Sequence, residues 1–539
     1  LNQVLVDSLV RELRSEGDGQ LGRLVMFSDS RQDAAKFATG VEVNHYRDIL
    51  RQLFVESTID DGSEHVDAEV DYARRVANGQ SGSRNAEARH RVRDDYPDLA
   101  NALDDLRDGA EGADEKVERL RDKIRLGKNV RQITALTRDR LLEQGSNPAG
   151  PWHSMSVEPP HGNPRARWPE LYNWPVGGHP APKSVLPSES HEDLRRRIAQ
   201  RLEREVLLNI FSGNGRDLES LAIAKPSIGM NPVPPPTGME PSALEEAVRA
   251  SVRILGDSYL IQNLKEPKQK TPVSLKRYWK RVADLHGVDV DDLGSCVEEA
   301  WAPKGEEAVL EYLIQPEWLV LQPPGDHQWT CSKCTRRHLD RAAGICTACC
   351  SELDGPPEPA LVGSDDHYAH LAKTDQPAFR LRAEELTGQT TTLDAGRRQA
   401  RFQDVFLDDE DPRTHGIDLL SVTTTMEAGV DIGALKAVVM GNMPPRRFNY
   451  QQRVGRAGRR GEPFSFALTI CRERTHDAHY FLDPDRITND PPPTPFIDLG
   501  RPEILRRTLA AATLREAFRL QVASDPDLDL GVNVHGEFG

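Results

Sequence analysis

Two clusters in this chain have residue types and spacings that can do chemistry. The first is the stretch YQQRVGRAGRRG at 450–461, in which Arg453, Arg456 and Arg459 recur every three residues. On a helix, steps of three bring side chains toward one face, so the spacing aims three guanidiniums in one direction. Glycines at 455 and 458 leave room for another backbone or a phosphate to come close. Guanidiniums bind phosphate oxygens bidentately and stabilise the charge that develops on a phosphoryl group in transfer. The second cluster is CSKCTRRHLDRAAGICTACC, where Cys331 and Cys334, and again Cys346 and Cys349, are separated by two residues, with eleven residues between the pairs. Two such knuckles can converge four thiolates on Zn²⁺ at about 2.3 Å. Four protein ligands close the coordination sphere, so the expected metal role is structural. On spacing alone Cys350 can replace Cys349, and His338 or His327 can replace a thiol. The basic residues between the knuckles, Lys333, Arg336, Arg337 and Arg341, allow nucleic-acid contact, and a folding staple is an equal reading.

These groups need elements to hold them. The segment GRLVMFSDSRQDAAKFATG at 22–40 reads as strand, polar turn and helix, with Ser28 available as a helix cap. Short apolar runs at 419–422, 437–440 and 464–470 read as further buried strands. The first of them leads into TTTMEAGVDIG, which offers hydroxyls at Thr423, Thr424 and Thr425, followed by Gly429 and Asp431. Strand-end hydroxyls of this kind can grip a sugar-phosphate backbone. Strands alternating with helical segments predict an α/β fold, a parallel sheet with helices on both faces. About 390 residues separate Phe27 from Leu419, where a strand-helix-strand unit needs only about 30. A large, mostly helical insertion must intervene. Within it, Leu99, Leu103, Leu106, Ala110, Ala113, Val117, Leu120 and Ile124 form an apolar seam, read as a coiled coil or as a hairpin turning near 108–114. Proline- and glycine-rich stretches at 145–190 and 225–242 read as loops.

Composition narrows the class. The chain has 539 residues, 37% hydrophobic and 29% charged, with 38 prolines, which suggests more than one folded unit joined by long polar loops. No apolar run approaches the roughly 18 residues of a membrane span, so no membrane partner is expected. Seven cysteines, four of them in the paired cluster, suit a reducing, cytoplasmic compartment better than a secreted disulfide framework. A formal net charge of -16 argues against a chain coated in nucleic acid but leaves room for a local groove. The chain begins at Leu1, without methionine, and reads as a fragment.

The order and wording of the motifs resemble the second RecA-like lobe of superfamily 2 DEAD/DEAH-box helicases. LVMFSDSRQDAAKF resembles motif IV, LLSVTTTMEAGVDIG motif V and QQRVGRAGRRG motif VI, while residues 380–406 resemble the segment that precedes motif V. The tail PFIDLGRPEILRRTLAAATLREAF is similar to the region after motif VI in zinc-binding helicases of the MrfA and YprA type, a neighbourhood that includes the DrmA helicase of the DISARM defence system. The resemblance implies Arg456 and Arg459 as arginine fingers, with Gln452 and Arg453 ordering the nucleotide side of the cleft. It implies that Gly429 and Asp431 couple that cleft to the nucleic-acid path, and that Thr423, Thr424, Ser28 and Arg31 contact the backbone. The arginine pair is expected at the carboxyl edge of the parallel sheet. No G-x-x-x-x-G-K-[ST] loop and no Asp-Glu-Ala-Asp or Asp-Glu-Ala-His box is present. ATP with Mg²⁺ is therefore expected to be shared with an amino-terminal RecA-like lobe, and this chain alone is not expected to hydrolyse it. Expected partners are DNA, with RNA left open, that first lobe, and a defence-complex or repair protein. The implied domains are 1–50 and 371–482 for the lobe, 51–370 for the insertion with a zinc ribbon at about 327–352, and 483–539 for the start of a helical extension. The rival reading is a zinc-stabilised scaffold that binds nucleic acid or docks a partner without motor activity.

Overall fold

The computed structural model describes residues 2–15, 22–59, 63–80, 84–125, 127–150, 155, 166–211, 215–302, 308–360, 366–374, 376–423, 435–458, 464–489, 491 and 500–524. The apolar runs pair as strands: β1 (Leu24–Ser28), β2 (Ala383–Leu386), β3 (Leu419–Thr423), β4 (Ala437–Met440) and β5 (Phe466–Thr469). Among the described residues they form one sheet in the order β2-β3-β1-β4-β5, and every neighbouring pair is parallel. β1, β3 and β4 are buried along their whole length, as strands covered on both faces must be. The register sets Leu24 beside Leu419 and Ala437, and Ser28 beside Thr423. β2, with the sequence AEEL, carries no apolar run. It lies at a sheet edge, where charged side chains discourage further pairing.

Helices cover both faces. Helices α1 (Asn2–Ser15) and α2 (Arg31–Ile59) bring Val6, Val10, Leu13, Ala38 and Val41 against Leu24, Met26, Leu419 and Val439. On the other face, α3 (Thr392–Phe402) and α4 (Arg447–Val454) bring Phe402, Tyr450 and Val454 against Val25, Phe27, Leu420 and Met440. The alternation of Leu24 and Met26 with Val25 and Phe27 is the two-residue period of a strand buried on both sides.

At 29 residues, α2 is about 43 Å long and outruns the lobe. Its Tyr46, Ile49, Leu50, Leu53 and Phe54 belong to the large core of the insertion, so the expected boundary at residue 50 falls inside one continuous helix. Polar rungs tie the middle of that helix to α1: His45 Nδ1 meets Asp7 Oδ1 at 2.5 Å, and Gln3 Nε2 donates to Asp48 Oδ2 at 2.8 Å. The apolar seam of the insertion is a hairpin. Helices Pro97–Arg107 and Ala113–Arg125 are separate, and Gly109 and Gly112 turn the chain between them at φ +74° and +75°. With helices Ser63–Ala77 and Ala86–Asp95 they build a small bundle around its own core of Val66, Val70, Leu99, Leu103 and Val117. Part of the expected loop at 225–242 is instead a strand, Lys225–Ile228, antiparallel to Leu319–Gln322. Among the described residues no helix is long and apolar enough to cross a membrane.

Candidate phosphate-binding edge and thiol cluster

The turn after β1 is built around hydroxyls, but not in the expected way. The Asp33 N–H donates to Ser30 Oγ at 3.0 Å, so Ser30 caps α2. Ser28 is completely buried, and its hydroxyl donates inward to the Ser30 carbonyl at 3.2 Å. The Ser28 hydroxyl is thus engaged within its own turn. Thr423, its neighbour across the register, is buried as well. The exposed groups of the turn are Asp29, Ser30 and Arg31, and Arg31 hydrogen-bonds Gln389.

Arg453 is wholly buried, with Nη2 at 2.6 Å from Asp29 Oδ1 and its guanidinium 5.6 Å from the centre of the Phe27 ring. Asn442 joins the tie: its amide group donates to Asp29, and its Oδ1 accepts the Asp29 N–H at 3.3 Å. Arg453 therefore locks α4 to the turn after β1. Gln452 is exposed and Arg456 half-buried, the Arg456 N–H donating to the Arg453 carbonyl at 3.1 Å. Beyond it the Gly458 N–H donates to the Leu435 carbonyl at 2.9 Å, and Ala457 bridges Leu435 in parallel. Leu435 precedes β4, so the end of α4 that carries Arg456 lies at the amino end of that strand, not at the carboxyl edge where it was expected. The cause is topological. A crossover helix between parallel strands must run back along the sheet, so residues at its far end return to the starting side. Thr424, Gly429, Asp431 and Arg459 lie outside the described residues.

The thiol cluster assembles as the spacing predicts. The sulfurs of Cys331, Cys334, Cys346 and Cys349 all lie within 4.8 Å of one another, with Cys331–Cys349 and Cys334–Cys346 at 3.6 Å. The two knuckles match: the Thr335 N–H donates to the Cys331 carbonyl, the Cys350 N–H to the Cys346 carbonyl, and Thr335 and Cys350 both take φ 58°. Cys350 thus serves as the turn residue. His338 is fully buried and accepts a hydrogen bond from Arg253 at 3.0 Å, while His327 sits exposed on strand His327–Thr330, so neither replaces a thiol. Burial pushes the Cys346 thiol up. For Cys349 burial also raises the value, but Ser351 and the neighbouring thiols outweigh it and hold the group at about 6. Four thiols this close ionise together only around a cation, and a set of four sulfurs fits zinc.

Two of the four basic residues between the knuckles turn inward. Arg336 pairs with Asp257 at 2.9 Å, and Arg337 donates to the Ser220 carbonyl at 3.3 Å. Beneath them, buried Arg253 spans Asp217 at 3.2 Å and Glu219 at 2.6 Å. Burial lifts the Glu219 carboxyl to about 7 against the pull of Arg253. The sequence does not mark this network, nor the Asp29–Asn442–Arg453 tie, because the partners are far apart in the chain and carry no local pattern.

Residues 368–461 match the family described as the helicase conserved C-terminal domain. With the doubly wound parallel sheet, this makes the segment a RecA-like carboxy-terminal lobe of a superfamily 2 helicase. Among curated proteins the chain is similar to Druantia protein DruE of Escherichia coli (strain UMEA 4076-1), at 38% identity over 217 residues, 36% of this chain and 11% of that protein. It is also similar to ATP-dependent helicase HRQ1 of Saccharomyces cerevisiae (strain ATCC 204508 / S288c), at 38% identity over 65 residues, 12% of this chain and 6% of that protein. The matched stretches thus span a small part of either relative.

Proposed function

We propose that the chain is the second motor lobe of an ATP-dependent DNA helicase or translocase. It meets an amino-terminal RecA-like lobe across a shared ATP–Mg²⁺ site. The carrying observation is the helicase C-terminal match at 368–461, which ends on the arginine-glycine stretch. In this reading Arg456 and Arg459 stabilise the transferring phosphate, with Gln452, Gly429 and Asp431 beside the nucleotide. Arg453 acts as a positioning residue, since its burial against Asp29 supports a role in orienting the helix that carries Arg456. Thr423, Thr424 and Arg31 contact the nucleic-acid backbone. Zinc holds Cys331, Cys334, Cys346 and Cys349 as a structural site, and the surrounding protein works in a cytoplasmic defence or repair complex.

The test is Arg456→Ala in the full-length protein, with DNA-stimulated ATP turnover measured beside DNA binding. Loss of an arginine finger lowers turnover by about 10³-fold or more, while the strand still binds. Unchanged turnover removes the finger assignment.

A further inference from the structure

Strands β1 and β4 are neighbours, yet the helices that follow them cover opposite faces of the sheet, α2 over Met26 and α4 over Phe27. The chains leaving their carboxyl ends therefore diverge, and such a switch point is where open parallel sheets bind ligands. Here it holds a cleft of about 330 Å³, lined by Asp29, Asn442, Arg472, Arg474, His476 and Asp477. None of the motifs read from the sequence includes the residues after β5 that form its outer wall.

Most of the charge in the cleft is already committed. Asp29 is held by Arg453 and Asn442. Asp477 accepts the Arg472 N–H at 2.7 Å. The Arg472 guanidinium spans Asp33 and the Gly441 carbonyl, both at 3.1 Å. Two groups are left over. Arg474 is exposed, and its guanidinium has no partner among the described residues. His476 donates from Nε2 to the Pro444 carbonyl at 3.1 Å, which leaves Nδ1 uncommitted. Asp477 is held by a backbone N–H and keeps its charge, so the cleft is balanced overall; what it offers a ligand is the Arg474 guanidinium and the His476 Nδ1.

We infer that this cleft holds a phosphodiester of a nucleic-acid strand, with Arg474 as the charged contact and His476 beside it. The inference rests on the motor reading above and adds a contact to it. A strand suits the cleft better than a free nucleotide does. Its volume is at the low end for small-molecule pockets, and the exposed Ser30 and Arg31 continue it along the sheet edge. A strand in this position would cross the carboxyl ends of β4 and β1, opposite the end of α4 that carries Arg456.

The experiment measures binding of a labelled single-stranded oligonucleotide to this chain by fluorescence anisotropy, between about 50 and 200 mM salt. Arg474→Ala should weaken binding at low salt and flatten the plot of log affinity against log salt by about 0.7, the contribution of one single-strand phosphate contact. Arg474→Lys should restore most of the slope. Circular dichroism of each variant separates lost contact from lost fold, and the exposed position makes the lysine variant the safer comparison. A parent chain that binds no strand overturns the nucleic-acid reading and this inference with it. A parent that binds, with Arg474→Ala unchanged in affinity and slope, overturns the inference alone. Competition by inorganic phosphate or ADP supplies the remaining arm. If Arg474→Ala abolishes ADP binding while strand binding persists, the cleft is a nucleotide site and the inference is wrong.

Discussion

Gly145→Ala should destabilise the seam between insertion and lobe by several times the cost of the same change at Gly109. The two glycines share a backbone conformation, φ +71° and +74°, so the left-handed strain of an alanine, about 1 kcal/mol, is common to both. So is the entropy an alanine removes from the unfolded chain. Their surroundings differ. A Cβ at Gly109 meets nothing within 4 Å, whereas one at Gly145 would lie 2.0 Å from the Arg413 carbonyl oxygen and 2.5 Å from its carbon. That carbonyl also accepts a hydrogen bond from Arg380, on the segment leading into β2, so it is held from both sides. Forcing the backbone apart adds about 1–3 kcal/mol, for a total of about 2–4 kcal/mol at Gly145 against about 1 kcal/mol at Gly109. Gly145 follows helix Val130–Glu143 in the insertion, and Arg413 lies in the turn Pro412–His415 ahead of β3. The loss should therefore appear in native-state hydrogen exchange as easier opening of residues 141–146 and of the amides leading into β3. Gly109→Ala should act only within its hairpin. Equal costs at the two sites would show that the close approach contributes nothing and that backbone strain alone governs both.

Three further outcomes follow from the same structure. The Glu219 carboxyl sits at about 7 where its ordinary value is 4.5, so the folded state keeps a proton that the unfolded state releases. Its contribution is fully present below about pH 4.5 and is lost as pH rises through about 7, a change of about 3 kcal/mol. Glu42, pushed up to about 8 by burial, acts with the same sign. Urea midpoints between about pH 5 and 8.5 should fall for the parent and fall less for Glu219→Gln; a parent with no slope over that range would contradict the burial assigned to Glu219. Elemental analysis should find about one zinc per chain, lost in Cys346→Ser and retained in Cys296→Ser, and full metal content in Cys346→Ser would remove the cluster as the site. Asp29→Ala should cost about 2–3 kcal/mol in unfolding experiments, less than a fully buried pair because the Asp29 side chain is 33% exposed. A neutral effect would mean that Arg453 does not depend on Asp29.

What the sequence discloses depends on how local the signal is. β1, β3 and β4 are legible because a strand buried on both faces must be apolar throughout, and β5 shares the pattern in part. β2 is not, because an edge strand of AEEL has no such requirement. The thiol cluster is legible for the same local reason: ligands two residues apart reach one metal whatever surrounds them. The part played by Arg453 is hidden, since its partner Asp29 stands 424 residues earlier and only the parallel pairing of β1 with β4 brings them together. Ser28 misleads because a serine at the end of a buried strand and a serine that caps the next helix look alike in sequence, and only the fold shows that Ser30 does the capping. The edge on which Arg456 lies could have been deduced, because a helix joining two parallel strands has to return to their amino side.

That topology also explains how a lobe tolerates so large an insertion. The extra residues all fall within the single connection from β1 to β2, after α2 has left the carboxyl end of β1 and before residues 379–382 lead back to the amino end of β2. A parallel connection constrains only its two ends, so the sheet is indifferent to what hangs from the far half of α2. The insertion is nevertheless not free of the lobe. α2 continues unbroken into its core, the Tyr46 hydroxyl donates to the Pro148 carbonyl, and Gly145 abuts Arg413 on the lobe side. Cys331 and Cys346 belong to that same core, and the inward ion pairs of Arg336 and Arg253 join the thiol cluster to its helices. A metal at the four sulfurs would thus brace the body through which α2 is anchored, which favours a structural brace over a separate nucleic-acid grip for this ribbon.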